Sequence, residues 1–153
     1  MMSPVSHYRL ARRLYLWGIP VLPRVIARVS QFFFHCYLPY TCDIGRGFEV
    51  GYHGIGVVVH DRARIGQNVF MGPGAIIGGR SQQSDVPVIG NGVYIAAGAK
   101  VLGAIQIGDG SVIGANAVVI KDVPARCAVA GVPSKVVREN IDCFELTGWP
   151  KRK

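Results

Sequence analysis

Acidic residues are scarce in this 153-residue chain: nine Asp and Glu stand against seventeen Lys and Arg, a formal net charge of +8. The shortage is uneven. No acid occurs in the first thirty residues, where Arg9, Arg12, Arg13, Arg24 and Arg28 lie, and Lys151, Arg152 and Lys153 close the chain. Such ends suit acidic partners: a phosphorylated cofactor, an anionic membrane surface or nucleic acid. No nucleic-acid-binding motif is present, which argues against the last. A CxxC pair is also missing. Cys36, Cys42, Cys127 and Cys143 follow no disulfide or zinc spacing, so they are expected to be reduced, buried thiols of a cytoplasmic protein. No apolar run reaches eighteen residues, because Arg24 and Arg28 interrupt the longest candidate, and a transmembrane span is excluded. A small-residue cleavage site is absent from the N-terminal segment, which argues against a signal peptide. Half of the residues are hydrophobic, too many for disorder, and the length suits one domain.

What is present is a period of six. An aliphatic residue or Met recurs at Val59, Ile65, Met71 and Ile77, then in the same phase at Ile89, Ile95, Val101, Ile107, Ile113 and Val119. Glycine often follows: Gly66, Gly72, Gly78, Gly90, Gly108, Gly114. Four places after each aliphatic stands a small or medium residue, among them Ala63, Val69, Ala75, Val93, Ala99, Ser111, Ala117 and Val123. This period matches neither a helix nor simple strand alternation. It predicts short strands and turns repeated as a parallel β-helix, with the aliphatics stacked inward at about 4.8 Å per rung. The following glycine is expected to relieve a tight corner.

In chain order the pattern divides into a helical cap (1–38), the coil (39–138) and a tail (139–153). Residues 8–38 read as helical, with 1–7 frayed; Leu10, Leu14 and Trp17 share one face, and Val25, Val29, Phe32, Phe33 and Cys36 another. Gly18, Pro20 and Pro23 break this segment in two. The cap is expected to cover the open end of the coil and, being amphipathic and Arg-bearing, to lie against a membrane surface. Two breaks interrupt the coil. Val50 to Val59 is three residues too long, so Gly51–Gly56 should bulge outward and carry His53 with it; function concentrates on such excursions. His60 stands where neighbouring hexads have glycine, should project from a corner, and is the second candidate catalytic residue beside His53. The second break runs from Gly78 to Val88, where Gln83 occupies an expected aliphatic place; here a loop leaves the coil, with Arg80 a candidate anion or hydroxyl contact. His7 and His35 are read as structural or surface residues, and the tail as loosely held.

The hexads, the bulged histidine, the Gly-Gly loop and the run IAAGAKVLG…IGANAVVIKDVP…AVAGVPSKVV resemble the serine O-acetyltransferase branch of the hexapeptide acyltransferases, over roughly residues 40–138. The N-terminal segment is more similar to the short forms found in polysaccharide biosynthesis. The resemblance implies an all-β solenoid, a left-handed parallel β-helix with a short N-terminal helical segment. That hand opposes the usual right-handed crossover. It also implies a homotrimer with acetyl-CoA as donor, held between neighbouring coils, and no metal. By position, His53 takes the place of the family's catalytic histidine, Gly78 and Gly79 the Gly-Gly beside the thioester, Ala97 and Lys100 part of its Gly-Ala-Gly-Ala-Lys, and Lys121 a residue near the cofactor's outer end.

The implied chemistry is direct transfer. His53 takes the proton of an acceptor hydroxyl, the alkoxide attacks the thioester, and a backbone N–H near Gly78–Gly79 holds the oxyanion. Glu49 or a backbone carbonyl is expected to orient the imidazole, because the family's orienting aspartate has no counterpart in Tyr37-Leu38-Pro39-Tyr40. Tyr52 replaces the aspartate before the histidine, and Asp85-Val86 replaces the Arg-His pair that grips a substrate carboxylate. Tyr52, Arg80 and Asp85 are therefore the expected acceptor contacts. On that ground a glycan hydroxyl is favoured over L-serine, with serine O-acetyltransfer in cysteine biosynthesis as the alternative. A γ-carbonic-anhydrase-like metal centre needs three histidines, and the coil has two, His53 and His60. A non-catalytic scaffold is disfavoured by the bulged histidine.

Overall fold

The computed structural model describes residues 3–150. Two helices, α1 (Pro4–Leu16) and α2 (Leu22–Phe34), precede a coil of two- and three-residue strands. The first turn holds β1 (Asp43–Ile44), β2 (Glu49–Val50) and β3 (Val58–Val59); the second β4 (Arg64–Ile65), β5 (Phe70–Met71) and β6 (Ile76–Gly78). The third holds β7 (Val88–Ile89), β8 (Tyr94–Ile95) and β9 (Lys100–Leu102); the fourth β10 (Gln106–Ile107), β11 (Val112–Ile113) and β12 (Val118–Val119). Like strands stack in parallel, giving three sheets: β1-β4-β7-β10, then β2-β5-β8-β11 continued by β13 (Ala128–Ala130), then β3-β6-β9-β12. The result is a three-sided left-handed β-helix of about four turns. A final strand, β14 (Lys135–Arg138), folds back antiparallel on β13.

The hexad dictates this shape. Met71, Ile77, Ile95, Val101, Ile113 and Val119 are wholly buried, and so are Val69, Ala75, Val93, Ala99, Ser111 and Ala117 at the fifth places. Two side chains per face and per turn thus fill the prism, each large one contributing about 1.5–3 kcal/mol of burial. The glycine after the aliphatic has a different cause from the one expected. Gly66 keeps an ordinary backbone, but a Cβ on it would lie 2.6 Å from the carbonyl oxygen of Gly90 in the next turn. Close stacking of turns demands it. The left-handed corner falls two residues later, at Asn68 (φ 53°) or Gly92 (φ 63°).

The helical segment departs from expectation in both extent and face. Helix α1 begins at Pro4 under a capping box made by Ser3 and Ser6, so residues 3–7 are not frayed. Residues 35–38 leave the helix: His35 is left-handed (φ 50°), and Tyr37 bridges Val58 below β3. Helix α1 buries Pro4, Tyr8 and Ala11, while Leu10 and Trp17 stay exposed. In α2, Val25, Val29, Phe32 and Phe33 are exposed as well. Tyr8, Val5 and Phe34 pack against the core of the coil, and polar bonds add to that contact. The Tyr8 hydroxyl donates to the Cys42 carbonyl (2.7 Å) and accepts from the Ile44 N–H (3.1 Å). Arg9 donates to the carbonyls of Ile44 and Gly45, and Arg12 to those of Tyr40 and Thr41. These bonds satisfy the unpaired lower edge of the coil. Two of the N-terminal arginines are thus spent on structure.

The tail is likewise held down, up to residue 150. Helix α3 (Cys143–Thr147), capped by Asp142, leads to Trp149, which is buried and donates its indole N–H to the Asn68 carbonyl (2.7 Å). Trp149 packs on Phe70, whose ring stacks on Tyr94 at 4.8 Å. Lys151, Arg152 and Lys153 lie outside the described residues. All four cysteines are free and buried, as their spacing implied.

Candidate active site

The bulge between β2 and β3 is a short 3₁₀ turn, Gly51–Gly54. Both Tyr52 (φ 51°, ψ 44°) and His53 (φ 57°, ψ 19°) take left-handed backbone there. Two successive non-glycine residues in this region store on the order of 1–3 kcal/mol each, strain that clusters at functional sites. Gly54 fixes the turn: a Cβ would lie 2.6 Å from the Cys36 Sγ. The bulge throws both side chains out. His53 is exposed, as is Tyr52 at 80%. The His53 ring stacks on Phe34 at the end of α2 (6.2 Å, 18° between planes). Among the described residues its ring makes no hydrogen bond.

His60 is placed differently. Register pairs Val59 with Ile77, Ile77 with Val101 and Val101 with Val119. The residues after them therefore stack on one corner: His60 and Asp61 lowest, then Gly78 and Gly79, then Leu102 and Gly103, with Lys121 highest. A Cβ on Gly79 would touch the His60 ring, at 3.7 Å from Cδ2 and 3.8 Å from Nε2. The Nδ1 of His60 lies 2.8 Å from the Asp61 carboxylate and 3.2 Å from the Arg62 N–H. The two contacts require opposite tautomers. The shorter, charge-assisted one is the stronger; it places the proton on Nδ1 and leaves Nε2, beside Gly79, as an acceptor.

The expected residues thus fall into two groups. His60, Gly78, Gly79 and Lys121 share the corner between the third sheet and the first. His53 and Tyr52 share the opposite end of the third sheet with Ala97, which stacks in the column Pro73, Ala97, Ala115. Lys100 lies on β9 between the two corners, its Nζ donating to the Gly98 carbonyl (3.0 Å). Lys121 is exposed. Residues 79–87 leave the coil as expected; Arg80 is exposed near Gly103, and Gln83 accepts from the Ala104 N–H (3.0 Å). Asp85 lines a cleft of about 330 Å³ with Val86, Arg62 and Arg64. Asp61 was missed from the sequence, although its signal was plain: a carboxylate directly after a corner histidine.

Residues 87–121 match the family model for the bacterial transferase hexapeptide (six repeats). A serine acetyltransferase of Bacillus pumilus is 40% identical over 135 residues, 87% of this chain and 62% of that protein. Over most of its length the chain is thus similar to serine acetyltransferases, and it carries the hexapeptide repeat of the bacterial transferases. Crystal structures agree. A serine acetyltransferase of Brucella abortus superposes with a TM-score of 0.85 at 35% identity, covering 90% of this chain and 57% of that one. The same enzyme in complex with coenzyme A gives 0.83 at 36%, covering 88% and 54%. The similarity is longer than the 40–138 span and so reaches beyond the coil. The chain spans about three-fifths of the length of the curated relatives it matches.

Proposed function

We propose that the chain is an acetyl-CoA-dependent O-acetyltransferase with His53 as general base. The observation that carries this is the strained, outward-facing bulge on an otherwise regular coil, at the position where the family keeps its histidine. Gly78 and Gly79 supply the backbone N–H for the oxyanion, and Ala97, Lys100 and Lys121 flank the donor. His53 and the Gly-Gly pair stand at opposite ends of the third sheet, so a complete site takes one from each of two protomers, consistent with a homotrimer. L-serine is the acceptor best supported, because the matched proteins are named for it. A glycan hydroxyl is the second reading. It is favoured by Tyr52, an exposed aromatic with a hydroxyl at its edge, and by Asp85-Val86 in place of a carboxylate-gripping pair. A test follows coenzyme A release with L-serine and with oligosaccharide acceptors in parallel. A serine KM below about 1 mM, in the ordinary enzyme range, selects serine; release with glycans alone selects the second reading; release with neither defeats the proposal.

No described helix is long and apolar enough to cross a membrane. Leu16, Trp17, Val21, Leu22, Val25, Val29, Phe32 and Phe33 nevertheless form an exposed apolar surface on a segment without acids. Cytoplasmic residence with this surface against anionic lipid is part of the same proposal. Co-sedimentation with vesicles containing phosphatidylglycerol, lost in Trp17→Ser/Phe32→Ser, is the expected outcome.

A further inference from the structure

Helix α2 has a second face. Arg24, Ala27, Arg28 and Gln31 follow one another at helical spacing and line a cleft of about 300 Å³ between the helix and the base of the coil. The opposite wall is Tyr37, Pro39, Tyr40, Thr41 and Asp61. The Arg9 and Arg12 side chains hold backbone carbonyls, but the guanidiniums of Arg24 and Arg28 make no hydrogen bond or ion pair among the described residues. Two like charges one turn apart repel by a few tenths of a kcal/mol. The one carboxylate lining the cleft, Asp61, is already engaged by His60 at 2.8 Å. The cleft therefore carries two unneutralised guanidiniums beside two phenol rings, a combination that receives an anion attached to a small body.

We propose that this cleft binds the anionic group, carboxylate or phosphate, of the acceptor. The guanidiniums of Arg24 and Arg28 fork onto its oxygens, and Tyr37 and Tyr40 pack against the rest. Asp61 joins the cleft to the corner that holds His60 and Gly79, so a ligand gripped here lies beside the Gly-Gly loop. This inference rests on the acetyltransfer reading for the word acceptor, but the binding site stands apart from it. It places a pair of cations on a helix, apart from Arg62 and Arg64 in the cleft that Asp85 lines.

Calorimetric titration of the full chain, without acetyl-CoA, tests it. The probes are L-serine, a hexose 1-phosphate and inorganic phosphate, each against wild type and the double variant Arg24→Gln/Arg28→Gln. Both side chains are exposed, so the variant should keep its melting temperature and its acetyl-CoA affinity. The expected result is that L-serine or the hexose phosphate binds wild type at least about tenfold more tightly than the variant, and the one that does identifies the source of the anion. Inorganic phosphate should bind more weakly than the successful probe. Equal binding to both proteins, or no binding of any probe to wild type, overturns the proposal. So does loss of acetyl-CoA affinity in the variant, which would assign the cleft to the donor. Probe binding lost in the variant, in a protein that releases no coenzyme A with any acceptor, would keep the site and remove the acetyltransfer reading.

Discussion

At the scale of the residue, the two coil histidines make opposite cases. His53 has position and strain, and its ring makes no hydrogen bond among the described residues; His60 has an acid at 2.8 Å and a glycine against its ring. Removing a general base costs about 10²–10⁴ in kcat. His53→Ala should show that loss with acetyl-CoA affinity kept, and His60→Ala a much smaller one. Asp61→Asn separates the roles further: a large fall in kcat would mean that the His60 tautomer matters to proton transfer and would move the base to His60. The thiols give a stability prediction. Burial pushes Cys36 and Cys42 up to about 12 from 9.0, Cys42 partly offset by Arg12. In the folded protein both stay protonated where the unfolded chain has lost its protons. Their contribution is full below about pH 9 and is lost as the pH rises from there towards 12, at about 1.4 kcal/mol per pH unit and per thiol. Urea midpoints measured at pH 8 and pH 10.5 should therefore differ, and the difference should shrink in Cys36→Ala.

At the scale of the element, the coil was legible and its two ends were not. Six-residue phase states which residues point inward, because every turn repeats the same confinement; Met71 and Ile113 needed no tertiary information. The bulge at His53 was legible for the same reason, as an excess of residues over the repeat. The ends have no repeat to read. Leu10 and Trp17 look like a core face by helical spacing, yet α1 docks through Val5 and Tyr8 on the core and through Arg9 and Arg12 on the carbonyls of the exposed edge. Trp149 was unreadable because its partners, Asn68 and Phe70, lie some eighty residues away in the chain. The glycine positions carry a further test. Gly66→Ala forces the turns apart and should cost about 1–3 kcal/mol, as overpacking does. Gly18→Ala, where nothing lies within 4 Å, meets only its φ of +78° and should cost less. Thermal melts of the two variants check the order, and an inversion would mean that the turns do not stack as closely as Gly66 requires.

At the scale of the whole molecule, the separation of the two corners makes a strong demand. A single prism places His53 and Ala97 along one edge and Gly78, Gly79 and Lys121 along another, with the strands of the third sheet between them. On the proposed roles, the hydroxyl is activated at the first edge and the thioester held at the second, with a sheet between them. Three copies around an axis parallel to the coil would bring the first edge of each against the second edge of the next, which is a closed, heterologous arrangement. The predicted particle is therefore three times the 16.5 kDa protomer by light scattering. Mass alone does not show that the edges cooperate, but mixed variants do. His53→Ala spoils one edge and Gly79→Asp the other, so each variant alone should be inactive. Refolded together at equal ratio they should form trimers in which about a quarter of the sites join two unaltered edges. Activity near that fraction of wild type would establish the shared site. A mixture as inactive as its components, in particles of trimeric mass, would confine the chemistry to one protomer and to the corner where His60, Asp61 and Gly79 already meet.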